Sequence, residues 1–314
     1  MRFYIGITDN EWYRRLAALR PDEVNFWVPG GANFRVLDPG APFLFKLHSP
    51  ESFIAGGGFF VRFERVPLLL AWEAFGEKNG APDLPSLRRM IQMRRGDQEQ
   101  NPEIGCIILN TPFFLQREEW VPTDGIWAAG IQKGKSFRTE EPVGRRIWEQ
   151  VQARLIGREM VRASEARPAD ETAGAIADIE NRLGQEYLTR GRLGQGAFRV
   201  LVTSAYDRRC ALTGERTLPV LQAAHIRPFT DRGPNRTSNG LLLRSDLHIL
   251  FDRGYLTVTP EHRIEVSRRI KEEFDNGRDY YPLHGRRLVI LPRSPDDLPA
   301  REHLEYHNRE VYLG

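Results

Sequence analysis

Leu218–Asp252 carries the clearest structural pattern in the chain; its sequence is LPVLQAAHIRPFTDRGPNRTSNGLLLRSDLHILFD. Its apolar run Val220–Ile226 predicts a strand, and the polar segment 227–238, which contains Pro and Gly, predicts a loop. Asn239–Arg244 predicts a short return strand, and Leu247–Phe251 predicts a helix. The order of these elements predicts a β-hairpin followed directly by a helix.

Three polar side chains occupy defined places in this predicted unit. His225 lies on the first strand, Asn239 opens the second, and His248 lies on the helix. Asn239 follows His225 by fourteen positions, and His248 follows Asn239 by nine. At the start of the helix, Ser245 is a suitable N-cap and the carboxylate of Asp246 complements the helix dipole. The pattern therefore sets two imidazoles and one amide around the hairpin.

The hairpin–helix layout resembles the HNH endonuclease family, whose active site is a ββα-metal finger. The words AAHIRPF and SNGLLLRSDLHILFD, with RLGQGAFRVLVTSAYDRRCALTG upstream, carry the resemblance over roughly residues 190–310. The resemblance implies an endonuclease, and His225, Asn239 and His248 are the candidate catalytic residues.

The chemistry of phosphodiester hydrolysis assigns a role to each of these side chains. The reaction needs an activated water and positive charge near the leaving oxygen. His225 is the candidate base, because an imidazole titrates near neutral pH. His248 is placed to hold a divalent cation, and Asp252, four residues later on the same helix face, is the second metal candidate. Asn239 is expected to bond across the loop and orient His225.

The metal site departs from the family pattern at one position. Many members carry Asp or His immediately before the base, whereas this chain has Ala224. Either Asp252 or another side chain substitutes for that ligand, or water and the substrate phosphate complete the coordination. We expect Mg²⁺, with Mn²⁺ or another divalent ion that tolerates imidazole as the alternative.

Basic residues around the hairpin are candidates for contacts with DNA phosphates. The formal net charge of the chain is only +3, so a local patch rather than the whole molecule would have to attract nucleic acid. Guanidinium groups pair with phosphate oxygens in a bidentate manner. The candidate DNA-binding residues are Arg227, Arg232, Arg236 and Arg244.

The sequence before the hairpin predicts a second domain. Residues 1–160 predict a mixed α/β unit with many turns, 161–190 a helical linker, and 191–314 the nuclease domain. Within the last of these, Tyr280–Leu291 predicts a strand, a turn and a strand, and Pro299–Tyr312 predicts a closing helix.

The words FLFKLHSP, IAGGGFFVRFERVP and AWEAFGEKNGA of the first unit resemble the PUA-like superfamily. That group includes the SRA and EVE readers of modified bases. The resemblance implies a β-barrel with helices and a base flipped into an aromatic pocket. The candidate pocket residues, expected in a loop rich in Gly and Pro, are Asn25, Phe26, Trp27 and Phe34, with Trp72 and Trp120 as alternatives.

Composition excludes several other classes of protein. The 314 residues are 40% hydrophobic and 28% charged, which is ordinary for globular proteins. Two cysteines cannot form a disulfide framework or a four-cysteine zinc site. The sequence contains no apolar run long enough for a membrane span and no signal-peptide pattern at Met1, so we expect a cytoplasmic protein.

The sequence as a whole predicts an α+β protein that acts as a modification-dependent restriction endonuclease. Its partner would be double-stranded DNA carrying 5-methylcytosine or 5-hydroxymethylcytosine, and a homodimer would cut both strands. Three alternatives stay open. The N-terminal unit reads ordinary DNA sequence or a partner protein; the finger is degenerate and only binds nucleic acid; or RNA is the substrate.

Overall fold

The computed structural model describes residues 1–30, 33–127, 131, 133–166 and 193–314. The chain divides into two compact units, Met1–Gly191 and Arg192–Gly314. From residue 167 onward, the predicted helical linker 161–190 lies outside the described residues. The structure describes no helix with both the length and the apolar character needed to cross a membrane.

The described part of the N-terminal unit is centred on a seven-stranded mixed sheet. The spatial order is β2-β5-β4-β3-β1-β7, and β6 pairs with β4. Strands β1 and β3 are parallel, and the other pairs are antiparallel. The strands are β1 Arg2–Thr8, β2 Glu23–Val28, β3 Pro42–Leu47, β4 Phe53–Pro67, β5 Glu103–Phe114, β6 Val121–Pro122 and β7 Gly134–Arg138.

This sheet is open over the described residues, with β2 and β7 as its two edges. The strands expected at the start of the chain and around Phe43, Phe59 and Ile104 are present, with β4 and β5 longer than expected. The unit is therefore α+β, as the sequence predicts, but the closed PUA-like barrel is not shown.

Helices accompany the sheet and cover two apolar cores. Tyr13 and Leu16 pack with Phe43 and Phe45 of β3 in one core. In the other core, one face of the longest helix, α4, packs against β1 and β3, as alternating strand residues require. Over the described residues, the helices of this unit are α1 Asn10–Leu19, α2 Leu68–Phe75, α3 Leu84–Arg95 and α4 Pro142–Ala166.

The C-terminal unit contains the predicted hairpin and helix in the predicted order. The hairpin register runs from Leu221 opposite Arg244 to His225 opposite Gly240. A small antiparallel sheet and further helices surround it. The elements are α5 Gln195–Ala205, β8 Leu221–His225, β9 Gly240–Arg244, α6 Ser245–Asp252, β10 Leu256–Val258, β11 Ile264–Val266, α7 Arg269–Phe274 and α8 Arg301–Tyr306.

A continuous apolar core fixes the hairpin on its supporting elements. Phe198 and Val202 of α5 belong to it, together with Leu242 of β9 and Phe251 of α6. The buried hydroxyl of Tyr206 donates to the Gly240 carbonyl oxygen at 3.1 Å. Each strand and helix that carries a candidate catalytic residue is therefore anchored in one core.

Two local predictions in this unit are wrong. Ser245 is the first residue of α6 rather than its cap, and Arg244 occupies the N-cap position without a side-chain bond. Segment Tyr280–Leu291 forms a short 3₁₀ turn and one isolated bridge instead of two strands. The closing helix is confirmed, because α8 continues as a π-helical turn through His307–Val311.

Candidate active site

His225 lies at the end of β8, half-buried against the ring of Phe198. The two ring centroids are 3.9 Å apart and the planes differ by only 9°. Burial lowers the pKa of His225, whereas Asn235 and Asp252 raise it and His248 lowers it further, with a net downward shift. The imidazole is consequently neutral at neutral pH, which is the state that a general base requires.

A hydrogen bond from the loop identifies which nitrogen of His225 is free. The amide nitrogen of Asn235 donates to the Leu193 carbonyl at 2.6 Å, which turns the amide oxygen toward His225. That oxygen lies 2.8 Å from His225 Nε2 and can only accept. The proton of the neutral ring is therefore on Nε2, and Nδ1 carries the lone pair.

The sequence analysis did not predict Asn235 as the partner of His225, although one feature of the sequence points to it. Segment 227–238 contains a single amide side chain, and that side chain is Asn235. A catalytic imidazole needs a partner that fixes its tautomer, and the loop after its strand is the nearest source. The acceptor of the Asn235 amide, Leu193, is 42 residues away, so the sequence could not indicate the contact.

His248 faces two acceptor groups on the neighbouring elements. Its Nδ1 lies 2.8 Å from the side-chain oxygen of Gln222 on β8, so Nδ1 carries a proton. Its Nε2 lies 3.2 Å from Oδ2 of Asp252. In the neutral ring, Nε2 then presents a lone pair to a carboxylate oxygen. A divalent cation placed between these two groups would bind to both of them.

The structure brings His225, His248 and Asp252 to one locus. Asp252 raises and His248 lowers the pKa of His225, so all three side chains lie within electrostatic range of one another. In the described part of the chain, no three His, Cys, Asp or Glu side chains converge as a metal cluster. The candidate metal ligands are the pair His248 and Asp252, one imidazole nitrogen and one carboxylate. That pair fits a divalent ion whose other ligands are water and phosphate oxygens.

Ala224, which stands where many family members have a ligand, is completely buried in the core of the unit. A methyl group supplies no donor atom, so β8 adds no metal ligand at this position. The sequence-based expectation that Asp252 lies on the same helix face as His248 is met, because the two side chains meet across one turn.

Asn239 closes the loop of the hairpin rather than touching the base. Its side chain is fully buried, and its amide oxygen accepts from the backbone N–H of Arg227 at 2.9 Å. Its amide nitrogen donates to the carbonyl oxygens of Arg227 and Pro234, each at 3.0 Å. The expected bond across the loop is present, but the direct hydrogen-bond partner of His225 is Asn235.

The four candidate DNA-binding arginines have different surroundings. Arg244 pairs with both carboxylate oxygens of Asp246, at 2.7 and 2.8 Å. Arg227 donates to the Asp231 carbonyl at 2.9 Å, and its guanidinium lies 4.6 Å from the centre of the Tyr306 ring. Arg232 and Arg236 are exposed. A DNA phosphate would therefore have to compete with the Asp246 carboxylate for Arg244. The DNA-binding roles of the four arginines stay predictions.

The N-terminal pocket residues do not form one pocket. Asn25, Phe26 and Trp27 belong to β2, so the expected loop is wrong at these positions. Phe26 and Phe34 pack against the first core of the unit. Asn25 and Trp27 lie on the other face of β2, because neighbouring strand residues alternate, and there they bond to Asn79.

The sheet of the N-terminal unit also carries buried acceptors. The amide oxygens of Asn25 and Asn110 are buried and have no hydrogen-bond partner among the described residues. The indole nitrogen of Trp27 donates to the Asn79 carbonyl at 2.9 Å. Trp72 and Trp120 are partly buried, and the Trp120 indole donates to the Leu115 carbonyl at 3.1 Å.

Structural comparison finds slight likenesses to solved proteins. A ZmASCH mutant protein from Zymomonas mobilis is 10% identical, with a TM-score of 0.31, over 47% of this chain and 96% of that one. The modification-dependent TagI restriction endonuclease is 16% identical, with a TM-score of 0.27, over 92% of this chain and 75% of its own. At these scores neither likeness defines the fold or the function. No curated protein sequence matches the chain.

A family model matches the segment that contains the site. The HNH endonuclease model matches residues 210–259, which include β8, β9 and α6. The same segment carries His225, Asn239 and His248 in the hairpin and helix described above. Residues 210–259 are thus an HNH endonuclease domain, and the protein contains a nuclease domain of the HNH type.

Proposed function

We propose that the protein is a modification-dependent DNA endonuclease of the restriction type. The C-terminal unit hydrolyses one phosphodiester, and the N-terminal unit, as a PUA-like reader, recognises a base such as 5-methylcytosine or 5-hydroxymethylcytosine. The observation that carries the nuclease activity is the neutral His225 beside the pair His248 and Asp252. An N-terminal unit of this size, preceding a compact nuclease domain in the chain, supports a separate targeting function.

In the proposed reaction, Nδ1 of His225 accepts the proton of the attacking water. Asn235 holds the ring through Nε2, so the lone pair of Nδ1 stays available and does not rotate away. The stacked ring of Phe198 restricts the imidazole to one plane. The new bond forms between the water oxygen and phosphorus, and the bond to the leaving 3′ oxygen breaks.

His248 and Asp252 would hold the divalent metal ion, Mg²⁺ in our proposal. Such an ion, when bound, supplies the positive charge that the pentavalent phosphate and the leaving oxygen require. Gln222 keeps His248 in the tautomer whose Nε2 faces Asp252. Substituting either ligand with Ala should raise the Mg²⁺ concentration for half-maximal cleavage about tenfold or more. A metal titration of the cleavage rate measures this directly.

Base recognition is proposed on the polar face of β2. The buried amide oxygen at Asn25 supports this, because the exocyclic amine of cytosine is a donor that needs such an acceptor. Trp27 lies beside it and packs under the guanidinium of Arg94, 5.1 Å from the ring centre. Phe26 and Phe34 would act from the other face, through the aromatic core that supports the strand.

Matched duplexes that differ only in cytosine modification test the proposed function. With Mg²⁺ or Mn²⁺, the wild-type protein should cut the modified duplex and spare the unmodified one. Equal cutting of both would leave a nuclease but remove the modified-base proposal in favour of ordinary sequence or partner targeting. If no DNA duplex is cut with either metal, the result would favour a protein that only binds nucleic acid through a degenerate finger. Competition between RNA and DNA tests whether RNA is the substrate.

Cleavage of both strands would need two active centres, so the proposed assembly on DNA is a homodimer. Nicked products at low protein concentration and double-strand breaks at high concentration would support the dimer. Double-strand breaks with a constant proportion of nicks across protein concentrations would contradict it.

A further inference from the structure

An exposed aromatic ring lies in the loop that leaves the catalytic strand. Phe229 is 56% exposed, although the nearby residues Ile226 and Gly233 are buried. It follows His225 by four positions, so their α-carbons are at most about 14 Å apart. This distance is comparable with the roughly 12 Å width of the DNA major groove. One bound duplex is therefore large enough to contact both His225 and Phe229.

The turn that carries Phe229 is held in one conformation by its own hydrogen bonds. The N–H groups of Asp231 and Gly233 both donate to the Pro228 carbonyl, each at 3.0 Å. A Cβ at Gly233 would lie 1.9 Å from the Arg227 carbonyl oxygen, so a larger residue does not fit there. These contacts hold the turn in one conformation. In that conformation the Phe229 ring is exposed to solvent.

Helix α8 braces the same turn from outside the hairpin. The hydroxyl of Tyr306 donates to Oδ2 of Asp231 at 3.0 Å. The Tyr306 ring also packs under the guanidinium of Arg227, which in turn donates to the Asp231 carbonyl at 2.9 Å. These contacts use three polar or aromatic side chains to fix the position of one turn, and they leave Phe229 directed away from the core.

The surroundings of Phe229 match nucleic acid better than protein. Arg232, in the same turn, and Arg236, after it, are both exposed cations. Guanidinium groups beside an aromatic ring suit phosphates beside base faces, since every base offers a face for stacking. Apolar side chains that enter a base step also unstack it and fix the position of the duplex.

We propose that Phe229 stacks on a base next to the scissile phosphate, separates that base from its neighbour and so positions the phosphodiester at His225. The inference rests on the proposed function as a DNA endonuclease. Phe229 is a positioning residue, because it touches the substrate beside the reacting bond and takes no part in proton transfer.

Base stacking in bound DNA tests the proposal. A duplex with 2-aminopurine at the steps around the mapped cleavage site should brighten when the inactive His225→Ala protein binds. The rise should disappear in the double variant with Phe229→Ala. In the active protein, Phe229→Ala should lower kcat/KM at least about fivefold, whereas Phe229→Trp should keep most of the activity.

Phe274→Ala is the matched control, because Phe274 is 61% exposed on α7 of the same unit. It should leave both fluorescence and cleavage unchanged. Phe229→Ala with wild-type cleavage and an unchanged 2-aminopurine signal would overturn this inference alone. A wild-type protein that cuts no duplex would overturn the proposed function and this inference with it.

Discussion

The two nitrogens of the His225 ring have different surroundings, and this difference determines which atom of the proposed base accepts a proton. Nε2 is held by Asn235, and the amide of Asn235 is itself fixed by the backbone of Leu193. Nδ1 is consequently the basic atom. An imidazole with one nitrogen fixed by an acceptor keeps a single neutral tautomer, which a water-activating base needs through every turnover.

Removing the Asn235 amide should reduce catalysis more than stability. Asn235→Ala frees His225 to rotate and to change tautomer, so kcat should fall about tenfold to a hundredfold with little change in KM. The free energy of unfolding should fall by about 2 kcal/mol, the net value of the two hydrogen bonds that are lost. Steady-state cleavage and urea unfolding measure the two effects. A fall in stability without a fall in kcat would show that Asn235 is only structural.

The depressed pKa of His225 sets the acid limb of the pH profile. Burial against Phe198 disfavours the imidazolium, so the neutral base persists below pH 6.5 and the midpoint of the acid limb of kcat/KM should lie below that value. Asn235→Asp places a carboxylate at Nε2, stabilises the imidazolium and should move the midpoint upward. If the midpoint does not move in Asn235→Asp, His225 is not the group whose titration produces the acid limb.

At the scale of elements, the hairpin and its helix are the parts that the sequence predicts best. The alternation and the turn residues of Leu218–Asp252 are local signals, and β8, β9 and α6 begin within one or two residues of their expected starts. The loop expected at Asn25 and Trp27 is wrong because the Gly and Pro residues after Val28 indicate a turn, whereas the strand continues up to that point.

Contacts between distant segments are the part that the sequence could not predict. Asn235 depends on Leu193, and His307 bonds to Phe251 from 56 residues away. Segment Tyr280–Leu291 has the composition of strands, but among the described residues its one bridge joins Arg287 to Arg263. Propensity indicates a possible strand, whereas a partner with free backbone groups decides it.

The hydrogen bonds of Asn239 hold the hairpin loop closed. Asn239→Ala removes three hydrogen bonds and leaves backbone groups of Arg227 and Pro234 without these partners. We expect a loss of about 2–4 kcal/mol in the free energy of unfolding, together with a loss of activity. Asn239→Asp, which keeps the acceptor for the Arg227 N–H, should lose less. Urea unfolding compares the variants; equal stability of wild type and Asn239→Ala would refute the role.

His307 ties the C-terminal turn to the end of α6. Its Nε2 donates to the Phe251 carbonyl at 3.2 Å, and Nδ1 accepts from the Thr257 hydroxyl at 2.8 Å. Burial lowers the pKa of His307 to about 4, while the backbone bond and Asp252 partly oppose this. Because the unfolded chain binds the proton first, the contribution of His307 to stability is present above pH 6.5 and is lost as the pH falls toward 4.

Between pH 7 and pH 5, the titration of His307 should lower the free energy of unfolding by about 2 kcal/mol. His307→Gln, which keeps a polar group but cannot titrate, should be less stable than wild type at pH 7 and lose less stability on acidification. Urea unfolding at both pH values gives the two slopes. Equal slopes would exclude His307 as the titrating group.

At the scale of the whole molecule, the chain combines an HNH nuclease domain with a larger α+β unit. The C-terminal unit contains the proposed base, the proposed pair of metal ligands and the turn that carries Phe229, all supported by one core. We propose that this unit hydrolyses the phosphodiester and that the open sheet of the N-terminal unit recognises the modified base. Substitutions at Asn25 should accordingly change which duplex is cut, whereas those at His225 should abolish cutting of every duplex.

Chemical rescue of the missing imidazole is the sharpest test of His225 as the general base. His225→Ala leaves a space beside Phe198 where free imidazole can enter and accept the proton of the attacking water. We predict that the variant binds DNA like wild type, does not cleave it with Mg²⁺, and regains metal-dependent cleavage as imidazole is added. Cleavage by His225→Ala at the wild-type rate, with no response to imidazole, would show that His225 is not the general base.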